Sequence, residues 1–462
     1  MDSTEVNTIR PMASKLMTTG ARPSSVTTTA AGERPSDEQV AALTEALVGL
    51  LGADAVSTDV AAREQASVDG AAMSPILAAQ LPLGLADIVV YIKDPVSVPD
   101  VLALAAAHGV PVTPRGKGTG NYGQAIPLHG GVVLDLSRAG RILEVGDGYL
   151  TAEAGATMIA LERAARKAGQ QLWMYPSTAG SSIGGFLAGG SGGTGSILHG
   201  GNDDGFVVAL DVAHPGASTL VHVEGDEAAG YVHAYGVTGI IVRATVRLEP
   251  AQDWSSLYAS FDTFSQALPA VRELGRATPA PRLVSADTPY VSAALPSDPE
   301  AIPAGRASLR AIVDPDAVDA ATAVITRLGG RVEVVRPGAR GTVKLSMLSY
   351  NHPTWHLQAA EPGRYFHLEV GGDALFDRID DVHSVFPGSM LHIEAAHITP
   401  IGMLNAVYES PEQVAAGIAR LQELGVGVHS PHQYYVDYKV DAARDLAGRN
   451  DPAGILNPGK LR

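Results

Sequence analysis

The sequence predicts an α+β fold of two domains. Short apolar strands alternate with amphipathic helices along most of the chain, and the pattern of alternation changes near residue 251. A chain of 462 residues is also too long for one ordinary hydrophobic core. We therefore expect a first domain over residues 36–250, a second domain over residues 251–430, and a return of residues 431–462 to the first domain.

The first domain is predicted to begin with a capped amphipathic helix after Ser36, because Val40, Leu43 and Leu47 recur at helical spacing. Further strands are expected where apolar runs stand between turn residues, and further helices where apolar residues recur every three or four positions. The predicted strands are 87–93, 110–113, 131–136, 141–145, 150–154, 206–212, 219–224 and 240–248. The predicted helices are 98–108 and 157–168, the second followed by Gly169 as its cap.

The second domain contains two β–α–β patterns. The first pattern covers residues 309–335 and the second covers residues 365–394, with further helices at 263–276 and 412–424. Strands and helices that alternate in this way predict an α+β sheet domain of ferredoxin-like type.

The composition narrows the class of protein. A net charge of −16 without a long basic run argues against a nucleic-acid or anionic-membrane partner. No run of 18 apolar residues occurs, so we expect no membrane-spanning helix, and residues 1–35 have the composition of a disordered leader rather than a secretory signal. The absence of cysteine excludes disulfides, iron–sulfur ligation and thiolate catalysis, and it fits a cytoplasmic protein.

Two glycine-dense stretches organise the first domain. Residues 176–201 contain ten glycines in 26 positions, and residues 114–124 (PRGKGTGNYGQ) follow a short predicted strand. Because glycine loses the most backbone entropy on folding, such density indicates backbone amides that approach an anionic ligand closely. A Rossmann fingerprint is disfavoured because no clear helix follows the first stretch. A surface linker is disfavoured because the second stretch embeds Ile183, Phe186 and Leu187.

Four motifs occur in one order along the chain. They are PRGKGTGNYGQ at 114–124, the pattern P-x6-IGG-x3-GG-SGG-x-GS-x3-G-x3-D from Pro176, YGVTGIIVRATVRL at 235–248, and NPGK at 457–460. In this order they resemble the FAD-binding domain of the vanillyl-alcohol oxidase/p-cresol methylhydroxylase (PCMH) family, over about residues 84–250 and the last twenty. The resemblance implies a PCMH-type FAD-binding domain of two α/β subdomains, and a second domain that forms a cap over the flavin.

The resemblance also implies which residues hold FAD. Residues 115–123 would wrap the FAD pyrophosphate, and residues 184–196 would lie along the flavin, ribityl and phosphate region. Residues 239–241 would meet the adenine half, and the NPGK motif would close the flavin site. Arg115 and Lys117 could add charge, or be solvated loop residues. The implied residues are Arg115, Gly116, Lys117, Gly118, Thr119, Gly120, Asn121, Gly123, Pro176, Gly180, Ser182, Ile183, Gly184, Gly185, Gly189, Gly190, Gly193, Gly195, Ser196, Gly239, Ile240, Ile241, Asn457 and Lys460.

We predict that FAD is held non-covalently. Many relatives carry a histidine for covalent attachment in the first glycine stretch, where this chain has Thr119 after Gly118. With cysteine also absent, a bicovalent link is excluded. A histidyl or tyrosyl link from the second domain stays open.

Eight of the fourteen histidines fall between residues 352 and 432. Flavin-dependent oxidation of an alcohol or phenol needs a base or a stabiliser of the developing anion, and His and Tyr suit both roles. A metal site at His352 and His356 is the second interpretation, although Pro353 disfavours a continuous helix there. The third interpretation is that these residues are ordinary surface histidines or hydrogen-bonded core histidines. The catalytic candidates are His432, His352, Tyr434 and His397, with His432 and Tyr434 on one face if residues 429–435 form a strand.

These features favour an FAD-dependent oxidoreductase that oxidises a small organic alcohol, hydroxy acid or phenol by hydride transfer. Molecular oxygen or another acceptor would reoxidise the flavin, and no metal is expected. The alternatives are a biosynthetic flavoenzyme that performs an oxidative cyclisation or a net non-redox step, and a non-catalytic flavin-binding protein. The predicted partners are a small-molecule substrate and, as is common among relatives, a second copy in a homodimer.

Overall fold

A computed structural model of the chain describes residues 34–80, 84–296 and 301–462. The predicted leader lies outside these residues except for its last two. The described residues form three β-sheets with helices on their faces.

The first sheet has the strand order β1-β2-β4-β3, with β2, β4 and β3 parallel to one another. Its strands are β1 (Val56–Ser57), β2 (Ile88–Tyr91), β3 (Val112–Arg115) and β4 (Val132–Asp135). Its helices are α1 (Asp37–Leu51), α2 (Val60–Ala66), α3 (Pro75–Gln80) and α4 (Val98–Ala107). Ser36 and Gln39 form the predicted capping box at the start of α1. Pro99 lies in the first turn of α4, where its missing N–H costs nothing.

The second sheet is antiparallel, with the order β5-β6-β10-β8-β9 and with β7 paired to the far end of β10. Its strands are β5 (Ile142–Gly146), β6 (Tyr149–Glu153), β7 (Gln170–Leu172), β8 (Val207–Ala213), β9 (Val221–Glu224) and β10 (Ile240–Pro250). Its helices are α5 (Met158–Lys167), α6 (Ile183–Gly189), α7 (Ser196–His199) and α8 (Gly225–Ala229). Helices α6 and α7 lie inside the second glycine stretch, where the sequence indicated only a loop.

The third sheet has eight antiparallel strands in the order β14-β11-β13-β12-β16-β17-β15-β18. Its strands are β11 (Ser255–Phe261), β12 (Leu283–Asp287), β13 (Ala307–Val313), β14 (Arg331–Pro337), β15 (Tyr365–Gly371), β16 (Met390–Glu394), β17 (Ile401–Val407) and β18 (Gly427–His429). Each half of this order places the first strand of the half between its third and fourth strands, which is the ferredoxin-like arrangement. The second domain is therefore a pair of ferredoxin-like sheets joined through β12 and β16.

Helices cover both faces of the third sheet. They are α9 (Phe264–Leu274), α10 (Pro289–Ala294), α11 (Val318–Arg327), α12 (Ala339–Ser346), α13 (His352–Ala360), α14 (Ala374–Asp377), α15 (Ile379–Val385) and α16 (Pro411–Glu423). Helices α9, α11, α15 and α16 supply residues to the main apolar core on one face. The other face carries polar side chains together with two smaller apolar clusters, and α12 and α13 pack on it.

The end of the chain returns to the first domain. Helix α17 (Val440–Asn450) is followed by a segment that pairs with β3, where the Val112 N–H donates to the Ile455 carbonyl at 2.8 Å. Ile455 and Leu456 are buried in the core of the first sheet. No helix in the described ranges is both long enough and apolar enough to cross a membrane.

Candidate functional site

A cleft lies where the two sheets of the first domain meet. Its walls are the segment after β3, the start of α6 and the start of β10. Thirteen of the residues predicted to hold the cofactor line it: Arg115, Gly116, Lys117, Gly118, Thr119, Gly120, Ser182, Gly184, Gly185, Gly189, Gly239, Ile240 and Ile241.

Glycine is required where the two glycine stretches approach each other. A β-carbon at Gly116 would lie 2.0 Å from Ser182 Oγ, and one at Gly184 would lie 2.7 Å from the Ala154 β-carbon. Gly118 has φ +64°, a conformation that L side chains rarely adopt. Side chains at these positions would force the walls of the cleft apart.

Arg115 and Lys117 line the cleft, and the charged group of each bonds to a backbone carbonyl of the first domain. Arg115 Nη1 donates to the Val68 carbonyl at 2.6 Å, and Lys117 Nζ donates to the Ser137 carbonyl at 3.2 Å. Their charges lie beside the cleft, but both groups already have a backbone acceptor.

The other predicted cofactor residues do not line the cleft. Gly193 and Gly195 pack against backbone, since a β-carbon on either would lie 2.0 Å from a carbonyl oxygen of the segment after β7. Ser196 Oγ accepts the Gly193 N–H at 2.9 Å. The remaining predicted cofactor residues that do not line the cleft are Asn121, Gly123, Pro176, Gly180, Ile183, Gly190, Asn457 and Lys460. Much of the second stretch is therefore rich in glycine because its backbone packs closely against other parts of the chain.

The NPGK motif braces the first glycine stretch from behind. Asn457 Nδ2 donates to the carbonyls of Gln124 at 3.0 Å and Tyr235 at 2.8 Å. Lys460 is fully buried and donates to the Gly123 carbonyl. Burial lowers the pKa of Lys460 to about 7, against the opposing charge of Asp69. Both residues support the cleft without lining it.

A chain of acid–base groups joins the first glycine stretch to the third sheet. Tyr122 donates its hydroxyl proton to Glu369 Oε1, and His429 donates to Glu369 Oε2 at 2.8 Å and to Asp437 Oδ2 at 2.6 Å. Burial opposes the charge on His429, but the hydrogen bonds to Asp437 and Glu369 raise its pKa to about 10. Burial and the Glu369 charge raise the pKa of Tyr122. Tyr122 is therefore a neutral donor and His429 a cation.

Next to these acid–base groups lies a group of uncharged polar side chains, three of them buried and two half-buried, which we call the polar cluster: His367, Asn405, His432, Asn351 and His352. His367 and Asn405 are cross-strand partners on β15 and β17, and the rings of His367 and His432 are 6.0 Å apart. Asn351 Nδ2 donates to the Tyr122 hydroxyl at 3.3 Å. His352 begins α13, which packs against both strands.

The polar cluster has many polar atoms without a hydrogen-bond partner. They are Asn351 Oδ1, His352 Nδ1, His367 Nδ1 and Nε2, Asn405 Oδ1 and His432 Nε2. Burial lowers the pKa to about 3 for His352, about 4 for His367 and about 3 for His432, so these imidazoles are neutral. A buried polar atom without a partner costs about 1–3 kcal/mol, so such a concentration indicates groups that await a ligand or water.

A buried ionic network lies on the same face of the sheet. Asp287 accepts from Arg310, from Ser308 Oγ at 2.7 Å and from His392 Nδ1 at 2.8 Å. His392 Nε2 donates to Glu394 Oε1 at 2.7 Å, and the same oxygen accepts the Tyr350 N–H at 2.8 Å. Burial opposes the charge on His392, but Asp287 and Glu394 raise its pKa to about 9. The network holds the backbone just before α13.

The four catalytic candidates fall in different places. His432 and His352 belong to the polar cluster, and His432 Nδ1 lies 2.6 Å from Ser74 Oγ. Tyr434 instead contacts the end of the chain, where Arg462 donates to its hydroxyl. His397 is exposed on the connection between β16 and β17, and the structure does not bring it to the cluster.

Two details of the sequence prediction differ from the structure. Residues 430–435 form no strand, because β18 ends at His429, so His432 and Tyr434 do not share a strand face. Pro353 does not interrupt a helix, because it lies in the first turn of α13, and the His352 and His356 rings are 6.2 Å apart. No group of three or more His, Cys, Asp or Glu side chains in the described ranges is arranged to hold a metal ion.

Sequence reasoning did not single out Tyr122, Glu369, His367 or Asn405. Tyr122 lies among the glycines of the first glycine stretch, and its local sequence does not distinguish it as a site residue. His367 and Glu369 have the alternate spacing of one face of a predicted strand, which was the available signal. The residues that they contact are far away in the chain, so the local sequence does not indicate these contacts.

The first domain thus has a glycine-lined cleft between two subdomains of helices and sheet. Residues 86–223 match the family model of the FAD binding domain. Residues 86–223 therefore carry an FAD-binding domain, as the motifs predicted.

Curated relatives match over less than half of their length. The chain is 29% identical over 192 residues to an uncharacterised FAD-linked oxidoreductase of Mycobacterium tuberculosis, covering 39% of this chain and 41% of that protein. It is 28% identical over 197 residues to a glycolate oxidase subunit of Bacillus subtilis, covering 39% of this chain and 42% of that protein. The chain thus spans about two fifths of the length of these relatives.

A solved structure of an alkyldihydroxyacetonephosphate synthase shares the whole fold. Its TM-score is 0.72 at 16% identity, over 98% of this chain and 90% of that chain. At this identity the likeness concerns the fold alone, and it confirms the α+β architecture.

The cleft fits FAD by its own chemistry. Ser182 Oγ is buried in the wall of the cleft without a hydrogen-bond partner. A β-carbon on Gly189, which lines the cleft, would meet no atom within 4 Å, so space lies before it. Backbone amides, an unpartnered hydroxyl and open space suit an anionic pyrophosphate and its attached rings.

A pair of glycines tests this assignment. Gly189→Leu should reduce bound flavin at least tenfold while leaving the melting temperature of the apoprotein unchanged, because the new side chain enters the cleft rather than the core. Gly180→Leu is the matched control: Gly180 also has no atom near its β-carbon, but it is exposed and does not line the cleft. Flavin content after gel filtration measures both. Equal flavin content in the two variants would contradict the assignment.

Proposed function

We propose that the protein is an FAD-dependent oxidase or dehydrogenase that oxidises a small organic alcohol, hydroxy acid or phenol. The single observation that carries the proposal is the position of the polar cluster, which adjoins Tyr122 at the end of the first glycine stretch. A cofactor-binding loop and a set of unpartnered acid–base groups thus meet at one place. The names of the relatives, which include a glycolate oxidase subunit and an FAD-linked oxidoreductase, support the same reaction class.

Bound FAD would supply the acceptor for the two electrons that leave the substrate carbon with a hydride. The residues of this chain would move the proton and orient the substrate. In an alcohol oxidation the hydroxyl proton must leave as the hydride departs, so a proton acceptor must lie within hydrogen-bond reach of that hydroxyl.

His367 is the proposed proton acceptor. It is 1% exposed, and neither ring nitrogen has a partner, so one nitrogen of the neutral ring is an acceptor. Burial lowers the pKa of His367 to about 4; the Glu369 charge opposes this lowering and the His429 charge adds to it. His367 is therefore a weak base whose neutral ring can accept the substrate proton as the hydride leaves.

His432 is the proposed donor to the same substrate oxygen. Ser74 Oγ accepts the Leu77 N–H at 3.0 Å, and its own proton can point to His432 Nδ1. Nε2 then carries the ring proton and is the nitrogen without a partner. In this arrangement His432 orients the substrate oxygen and does not accept its proton.

Tyr122, Glu369 and His429 would keep the charge distribution fixed. His429 donates both N–H groups to carboxylates, so it has no free lone pair and does not act as a base. Asn351 and the Tyr122 hydroxyl orient each other at the same border. The reaction then occurs among oriented dipoles that need little rearrangement.

The test of this function is anaerobic flavin reduction. The full chain, purified with FAD, is mixed with a panel of alcohols, 2-hydroxy acids and phenols, and the flavin absorption band is followed. Bleaching by at least one compound, with return of the band on addition of oxygen or an artificial acceptor, is the expected result. A yellow protein that no compound of any class bleaches would contradict the proposal.

We further propose that FAD is held without a covalent bond. Thr119 occupies the loop position where many relatives have histidine, and its hydroxyl pairs with Ser181 Oγ at 2.8 Å. The chain has no cysteine. Precipitation with trichloroacetic acid should therefore leave a colourless pellet and a yellow supernatant. A pellet that stays yellow after washing would show a covalent link.

A further inference from the structure

Two carboxylates and one imidazolium lie beside the polar cluster. The side chains of the cluster are themselves uncharged amides and neutral imidazoles. Glu369 contacts the cluster through Tyr122, and His429 joins Glu369 to Asp437. Asp437 Oδ1 is also buried without a partner.

Arg310 does not offset the charge of these carboxylates. Arg310 lies close enough to His356 to lower its pKa, but it donates to Asp287 and to the Leu348 carbonyl at 2.7 Å. Its charge belongs to the buried ionic network, in which Arg310 and His392 balance Asp287 and Glu394. Among the described residues, Arg310 is therefore engaged elsewhere and does not offer the cluster the arginine fork with which proteins often bind a carboxylate.

The unpartnered atoms of the cluster are of mixed type. Asn405 Oδ1 and Asn351 Oδ1 accept hydrogen bonds, and each neutral imidazole offers one donor and one acceptor. Hydroxyl groups, which both donate and accept, satisfy such a set, whereas a carboxylate can only accept. Three of these residues, His367, Asn405 and His432, are at most 9% exposed, so their atoms cannot be satisfied by bulk water.

We propose that the polar cluster binds an uncharged, hydroxyl-bearing part of the substrate, so that the enzyme selects a neutral diol or polyol over the 2-hydroxy acid of the same carbon skeleton. This inference rests on the proposed function, because it concerns the substrate of that reaction. It differs from what the name of the glycolate oxidase relative states for that protein.

Matched ligands provide the test. Propane-1,2-diol, lactate and 1-aminopropan-2-ol share one skeleton and differ in charge, and 1-phenylethane-1,2-diol and mandelate form a larger pair. Each is mixed anaerobically with the FAD-loaded protein in a stopped-flow instrument, and the dissociation constant is taken from the concentration dependence of the first flavin spectral change, before any bleaching. We expect each diol to bind at least tenfold more tightly than the acid or the amine.

Binding and bleaching separate the two proposals. If the diols bind selectively but bleach nothing, the binding inference stands and the reaction proposed above fails. If lactate or mandelate binds as tightly as its diol, if the amine binds more tightly, or if no compound of either set binds, the binding inference is overturned whether or not the flavin bleaches.

Asn405→Leu distinguishes a ligand site from a structural amide. Asn405 Oδ1 has no partner, and Nδ2 makes one long bond, 3.4 Å to the Met403 carbonyl, so the leucine should weaken diol binding at least tenfold while the melting temperature stays close to that of the parent. Gln358→Leu is the control, because Gln358 is also buried but its amide makes a close bond to the Tyr365 carbonyl. That variant should melt at a lower temperature and bind the diol within threefold of the parent. A lower melting temperature for Asn405→Leu with unchanged diol binding would overturn the inference.

Discussion

The variant His367→Leu should reduce the rate of anaerobic flavin reduction by about 10²–10⁴-fold, the usual contribution of a positioned acid–base group. The side chain is buried on the inner face of β15, and neither ring nitrogen has a protein partner. Leucine therefore removes the proton acceptor without leaving a broken hydrogen bond behind. The rate at saturating substrate, measured by stopped flow, is the quantity expected to fall.

His383→Leu is the matched control for this experiment. His383 lies in α15 of the same domain, on the outer helical layer, and its Nδ1 is 3.0 Å from Ser389 Oγ. It should leave flavin reduction within threefold of the parent. An equal loss of rate in the two variants, or a melting temperature of His367→Leu far below that of the parent, would assign His367 a structural role instead.

The pH dependence of the same rate carries further information. Burial lowers the pKa of His367 to about 4, so the free enzyme has the neutral, proton-accepting ring throughout the neutral range. The rate in the parent should therefore rise through the acidic range near this pKa and then level off. His367→Leu should lose this acidic limb.

The architecture was largely predictable because its signals are local. The strands of the first sheet are short apolar runs, and their alternation with amphipathic helices is visible without any contact information. The glycine stretches stood out because their entropic cost demands a reason. Both arguments concern neighbouring residues in the chain.

The parts that were missed depend on packing. Glycine has low helix propensity, so residues 183–189 were expected to be a loop, but burial of Ile183, Phe186 and Leu187 stabilises α6. The second ferredoxin-like half was only partly visible, because β17 pairs with both β15 and β16 and its burial arises from that pairing. Tertiary contacts outweighed local preference in both places.

The candidate site was harder to predict than the fold. Tyr122 and Glu369 are 247 positions apart, and Ser74 and His432 are 358 apart. A histidine that pairs with two carboxylates and a histidine with none look alike in a sequence. The difference between the cationic His429 and the neutral His367 arises from contacts that only the folded chain creates.

Asp287→Ala should lower the free energy of unfolding by about 3–5 kcal/mol, because it leaves the buried charges of Arg310 and His392 without their shared carboxylate. Both the Asp287 and the Arg310 side chains are 0% exposed, so water cannot replace the lost partner. Urea denaturation of the parent and the variant at pH 6 measures the difference.

An exposed ion pair of the same type provides the control. Asp377 is also bonded to one arginine, Arg272, but its side chain is 55% exposed. Asp377→Ala should therefore cost at most about 1 kcal/mol, as exposed pairs usually do. A comparable loss of stability in the two variants would mean that burial does not determine the strength of the Asp287 network.

The dependence of stability on pH is a second test of the buried ionic network. The pKa of His392 is raised from its usual 6.5 to about 9, so its contribution, about 3 kcal/mol, is complete below pH 6.5 and is lost as the pH rises through 9. Asp287 has a lowered pKa, so its own contribution is present above about pH 4 and is lost in acid. His429 titrates in the same alkaline direction as His392 and remains in both proteins. Because Asp287→Ala removes the first carboxylate partner of His392, the variant should lose less stability than the parent between pH 6.5 and pH 9.5. An unchanged alkaline slope in the variant would mean that Asp287 does not hold the charge on His392.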